Sequence, residues 1–217
     1  MNQNKIPSVG SLVASLTAQA AIMLITPIIV AIDLMNRGGG IRETSLTEFT
    51  QEAAIIISAI IFAIGAYRRP YARGCLTLIA GFMGCIAIRE LDMYFDLISH
   101  GFWLYPALLL AVVCVAYAAR CGRSALRPFL WYSREKFFSY LTVGFLILLF
   151  FSRLFGTGSL WELALPDRTY VVGVKSTVQE GLELLGYMLV LLGAVLFHLR
   201  KPLTEKQQTK RRRQGYI

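Results

Sequence analysis

Charged side chains recur at one depth in three apolar stretches of this 217-residue chain. Counted from the basic residues that end each stretch, Arg69 to Glu52 is 17 residues, Arg73 to Arg89 is 16, and Arg200 to Glu183 is 17. At about 1.5 Å rise per helical residue, these spans are ~24–26 Å. The hydrocarbon core of a bilayer is about 30 Å thick. Glu52, Arg89 and Glu183 are therefore expected in one layer, just beneath the far surface of a membrane. Charges at that depth are costly, so they should face one another or a wet cavity, which makes them functional candidates.

Helical spacing extends the layer. Glu48 and Glu52 lie four apart, with Gln51 beside them; Arg89, Asp92 and Asp96 fall at i, i+3 and i+7, with Glu90 next to that stripe. Lys175, Gln179, Glu183 and Tyr187 follow at intervals of four, and Glu180 adjoins them. Residues three and four apart share one helix face. The expected polar cluster thus comprises Gln51, Glu52, Arg89, Glu90, Asp92, Gln179, Glu180, Glu183 and Tyr187. Its carboxylates outnumber Arg89, whose planar fork satisfies one or two of them. The remainder must be protonated, solvated or bound to a cation, because a buried uncompensated charge is too expensive to keep.

Three chemistries fit that surplus. The first is a structural ion-pair network in a membrane subunit of a larger assembly. The second is binding or transport of a small solute, an ion or a proton. The third, an alternative, is an intramembrane enzyme acting on a lipid headgroup, with paired carboxylates as acid and base or as oxygen ligands to a metal. No catalytic residue is singled out, and neither a cofactor nor a resident metal is expected.

The elements that must hold this layer are legible from composition. The chain is 56% hydrophobic and 16% charged, where a soluble domain carries about 25% charge. Apolar runs at 11–35, 50–67, 74–97, 102–120, 138–154 and 179–199 predict an all-α polytopic protein, a single bundle of six transmembrane helices. The alternating ten-residue strands of a membrane barrel are absent from the sequence. Ala18-Gln19-Ala20 imitates a signal-peptide cleavage site, but the apolar run continues to Ile32, so the run is expected to span.

Charge sets the expected orientation. With both termini in the cytoplasm, the inner side carries Lys5, Arg68, Arg69, Arg73, Arg120, Arg123, Arg127, Arg134, Lys136 and the basic segment 200–217. Only Glu135 and Glu205 among the acidic residues fall there. This positive-inside bias predicts a multi-pass protein of a bacterial-type inner (plasma) membrane. Anionic lipid headgroups are then the expected partners of the inner loops and of Lys210 to Arg213. A partner membrane protein or a homo-oligomer is the other expected association. No nucleic acid is expected, since no aromatic residues interleave with the tail charges.

Other patterns are weaker. Four cysteines without C-x-x-C spacing predict neither a disulfide framework nor a zinc site. An intramembrane zinc hydrolase needs several membrane histidines, whereas His100 and His198 lie on opposite sides. A rhomboid protease needs Gly-x-Ser-Gly, which Gly156-Thr157-Gly158-Ser159 does not supply. Gly81, Gly84, Gly181, Gly186 and Gly193 are expected to admit close helix neighbours, and Gln19, Ser11 and Ser15 to bond between helices. Pro27 is expected to kink the first helix. Residues 120–136 should include a short interfacial helix, with Trp131, Trp103, Tyr105 and Trp161 as interfacial anchors. Segment 155–175 is expected to lie along the surface or over the cluster. The Gln-Glu openings of the second and sixth runs suggest two parallel copies of one hairpin.

Overall fold

A computed structural model describes residues 9–37, 45–163, 165 and 168–202. Ten α-helices appear among them: α1 (Val9–Arg37), α2 (Leu46–Arg68), α3 (Arg73–Glu90), α4 (Asp92–Asp96), α5 (Leu104–Cys121), α6 (Arg123–Tyr132), α7 (Lys136–Leu146), α8 (Ser152–Phe155), α9 (Gly158–Glu162) and α10 (Arg168–Leu199). A 3-10 turn, Pro70–Ala72, precedes α3, and a π-helical stretch, Ile147–Phe151, joins α7 to α8. The described residues contain no strand. Among the described residues, six helical segments are long and apolar enough to cross a membrane: Leu12–Asn36, Leu46–Arg68, Pro70–Glu90, Leu104–Cys121, Lys136–Phe155 and Tyr170–Leu199. The triglycine at 38–40 and the tail beyond Pro202 lie outside the described residues.

Three boundaries differ from expectation, each for a local reason. The second helix starts at Leu46 because the Ser45 hydroxyl accepts the Glu48 amide at 3.0 Å, the Ser-x-x-Glu pattern of a helix start. The third ends at Glu90, where Leu91 leaves helical geometry and a separate short helix follows. The sixth begins at Arg168, so Tyr170 and Lys175 belong to it.

At the centre, α2, α3, α7 and α10 pack around Ile55, Phe62, Leu76, Met83, Leu141, Tyr187, Val190 and Phe197. In bundles of membrane type, close packing rather than water exclusion holds such a core. At the crossing of α7 and α10 the two backbones themselves come close. A Cβ at Gly144 would lie 2.7 Å from the Gly186 carbonyl oxygen, and one at Gly186 would lie 2.7 Å from Leu148 and 3.0 Å from the Gly144 oxygen. Gly193 closes on Leu141 and the Phe137 carbonyl in the same seam, while Gly81 and Gly84 admit Cys114 and Leu110 of α5. Gly181 is not tight; its nearest neighbour, Val30, is at ordinary contact distance.

Gly186→Val should therefore destabilise by overpacking, at about 1–3 kcal/mol. Gly173→Ala, whose Cβ would meet nothing within 4 Å, should be neutral or mildly stabilising. Thermal unfolding in detergent, followed by size exclusion, distinguishes the pair.

The peripheral helices are attached differently. Helix α1 runs through Pro27 as one element and lies mainly against α10. It is tied to α2 by Asp33, which accepts the Leu46 and Thr47 amides at 3.1 and 2.7 Å and the Thr47 hydroxyl at 2.6 Å. Gln19 does not bridge helices as expected; its amide donates to Ser15 one turn earlier in α1, and the Ser11 side chain is outside the described set. Because α1 packs on α10 more than on α2 while α7 packs tightly on α10, the two proposed hairpin copies are not packed alike.

Arginines close the end of the bundle opposite the acidic layer. The Arg69 guanidinium, 5% exposed, donates to the Phe197 and Arg200 carbonyls at 3.1 and 2.6 Å and stands 4.1 Å above the Phe197 ring. Arg200 in turn pairs with Glu135 at 2.7 Å and stacks over Trp131 at 4.6 Å. Trp131 is accordingly buried rather than an interfacial anchor. Burial also pushes the Tyr132 hydroxyl well above the usual tyrosine range, beside Tyr71 and Arg69.

Candidate functional site

The acidic layer forms where the start of α2, the end of α3, α8 and the first half of α10 converge. Positions 180, 183 and 187 of α10 lie on one face. Glu183, 6% exposed, accepts the Gln179 amide at 3.2 Å, and the Arg153 guanidinium stands 3.5 Å from the same oxygen. Tyr187 hydrogen-bonds Glu90 across from α3, and Arg89 pairs with Glu90. Gln51, buried on α2, donates both to the Glu180 carbonyl at 3.0 Å and to its carboxylate at 3.2 Å. Two ion pairs, Arg89–Glu90 and Arg153–Glu183, thus flank Glu180. Both arginine side chains are nearly half exposed, while their carboxylate partners are sheltered.

Of the nine candidates, seven meet in this network: Gln51, Arg89, Glu90, Gln179, Glu180, Glu183 and Tyr187. Two do not. Glu52 follows Gln51 and so points about 100° away on α2; it has no hydrogen bond or ion pair among the described residues. The proposed meeting of Glu52 with Arg89 and Glu183 is corrected accordingly: Arg89 pairs with its own neighbour. Asp92 is exposed on α4, because the helix break at Leu91 cancels the i, i+3 relation to Arg89. Asp96 lies beyond it, and Lys175 sits beside α9 near Gly158 rather than in the network.

Arg153 was not anticipated, although its signal was available. It lies 17 residues from Lys136, the same depth interval as the other three, inside an apolar run. The wider turn of the π-helical stretch resets the register before α8. Ser152 is thereby fully buried, donating to the Leu148 carbonyl at 2.7 Å, and Arg153 lies against α10. Asp33 was missed likewise, and only the tertiary structure reveals its capping role. The segment after α8 partly covers the site: Gly156 packs on the Gln179 side chain, and α9 lies along α10.

Glu180 is the distinctive member. Its electrostatic neighbours are Glu183, Glu48 and Glu90, all acidic, and its side-chain partner is the neutral Gln51 amide. Among the described residues it forms no ion pair. No three His, Cys, Asp or Glu side chains among those residues converge closely enough to hold a metal ion.

Outside the apolar spans, Asp96 accepts the Gly101 amide at 2.8 Å and the His100 ring nitrogen at 2.9 Å. Chiefly the Gly101 amide, then His100, holds its carboxyl below the usual range. A lowered carboxylate pKa stabilises above its unfolded value, 3.8, and that support is lost as pH falls through the lower folded value. The Gly101 amide resonance should therefore stay in place to below pH 3.8; a shift centred at or above it would contradict the contact.

Fold and site together define a six-helix bundle of membrane type with a sheltered acidic cluster at one end. Compared with protein-family models, curated proteins and solved structures, the chain matches none.

Proposed function

We propose that this is a multi-pass protein of a bacterial-type inner membrane, both termini cytoplasmic, that binds and moves a small cation or proton through the acidic cluster. Glu180 carries the reading. A sheltered carboxylate surrounded by other carboxylates and an amide, with ion pairs on both sides, is a place where positive charge is missing. A cation or proton supplied from the outer side neutralises it; Arg89 and Arg153 keep Glu90 and Glu183 paired meanwhile.

The test is direct. Purified protein in vesicles of phosphatidylethanolamine and phosphatidylglycerol, with a trapped pH dye, should release or take up protons when monovalent cations or small amines are added. Empty vesicles should not. No proton or cation response in any of these conditions would sink the proposal.

The orientation has its own check. Ser99→Cys should react with a membrane-impermeant maleimide in intact cells, and Ser133→Cys only after permeabilisation. The opposite pattern would reverse the topology.

A second reading, a subunit of a larger assembly or a homo-oligomer, is favoured by α1 and α5. Both leave most of their apolar surface outside the bundle. Crosslinking in native membranes decides it: bands that disappear on bulky substitution at Leu109 or Val113 would support an assembly.

A further inference from the structure

A second feature lies at the other end of the bundle, away from the acidic cluster. Helices α3 and α7 stand apart over about two turns, leaving a groove of about 400 Å³ between Cys75–Phe82 and Phe138–Phe145. Seven residues of helix make it ~10 Å long. It is closed at both ends. Phe82 meets Phe145 edge-on at 5.0 Å at the end nearer the acidic cluster. Helix α6 crosses the other end with Leu126 and Phe129, tied to α3 by the Gly74 amide, which donates to the Ser124 hydroxyl at 3.1 Å. Its one polar wall group besides thiol, the Thr142 hydroxyl, is already spent on the Phe138 carbonyl at 2.9 Å.

These limits choose the occupant. A groove without free hydrogen-bonding groups rejects a polar solute. A helix, about 10–12 Å across with its side chains, needs an open trough rather than a short slot shut at both ends. One hydrocarbon chain fits. The same α6 that forms the closed end carries Arg123 and Arg127 on its other face, followed by Arg134 and Lys136. By the charge bias, this end lies at the inner leaflet, where anionic lipids attract basic residues.

We propose that the groove between α3, α6 and α7 holds an acyl chain of an anionic phospholipid, with its phosphate drawn over α6 to Arg123 and Arg127. The chain fills space that neither helix closes and braces α6 against both.

The full-length protein, reconstituted in vesicles of phosphatidylcholine and phosphatidylglycerol and re-extracted in detergent, is read by native mass spectrometry for retained lipid. The wild type should keep phosphatidylglycerol in preference to phosphatidylcholine. Thr142→Trp, at an exposed position on the groove wall, should lose retained lipid several-fold without loss of thermal stability. The double change Arg123→Gln and Arg127→Gln should still retain lipid but without headgroup preference. The proposal is overturned if the wild type retains no lipid, if Thr142→Trp retains as much as wild type, or if the preference survives the double change. A protein dimer that Thr142→Trp abolishes would overturn it too, by placing a second chain in the groove.

Discussion

Glu180→Gln should give a stable, monodisperse protein that no longer responds to cations. The glutamine keeps an acceptor for the Gln51 amide, which lies 3.2 Å from the carboxylate, and removes the repulsion from Glu183, Glu48 and Glu90. Its melting temperature should be unchanged or higher. Binding behaves differently, because removing one partner of a sheltered charge pair costs about 2–5 kcal/mol, and each 1.4 kcal/mol is about tenfold in affinity. The cation response should fall by well over an order of magnitude. Arg153→Gln is the informative contrast. It leaves Glu183 with only the Gln179 amide, so it should lower thermal stability as well as activity. If Glu180→Gln retains full cation response, the acidic cluster is architecture and the transport reading fails.

Arg69→Met should be the most damaging single change at the opposite end. It removes both donors from the Phe197 and Arg200 carbonyls and the cation above the Phe197 ring. A buried group left unpaired costs about 1–3 kcal/mol, and the ring contact adds up to about 2 kcal/mol when sheltered. A loss of about 3 kcal/mol or more is expected, seen as a large drop in melting temperature. Arg69→Lys should be intermediate, since an ammonium keeps the charge and can donate but loses the planar guanidinium that lies over the Phe197 ring. The residual cation response of whatever protein remains folded should match wild type, because Arg69 lies at the far end of α2 from Gln51, the partner of Glu180. A melting temperature unchanged by Arg69→Met would refute the role assigned to this capping contact.

Both predictions concern residues whose importance was only partly visible beforehand. Arg69 and Arg200 read as topology-setting charges, and nothing in a charge count shows that one caps the end of α10 while the other lies over Trp131. Glu52 was the expected member of the layer, with Gln51 beside it. They are adjacent, so whichever faces α10 excludes its neighbour, and the packing of α2 on α10 turned Gln51 inward. Arg89 was expected to reach across to another helix, yet α3 stops at Glu90, and the pair closes locally. That break also moved Asp92 onto the surface.

What the order of residues determined by itself is a matter of length along the chain. Hydropathy marks six spans, and the distance from a basic anchor to a charge within a span is a depth, so the shared level of Glu52, Arg89 and Glu183 follows from counting. The interval between Lys136 and Arg153 carried the same message. Rotation about each helix axis is another matter. It depends on which faces interlock, here through Gly144 and Gly186, and on a π-helical turn that resets the register before Arg153. Only the tertiary structure decided which side chains at the shared depth would touch, because depth is fixed by one coordinate and contact requires three.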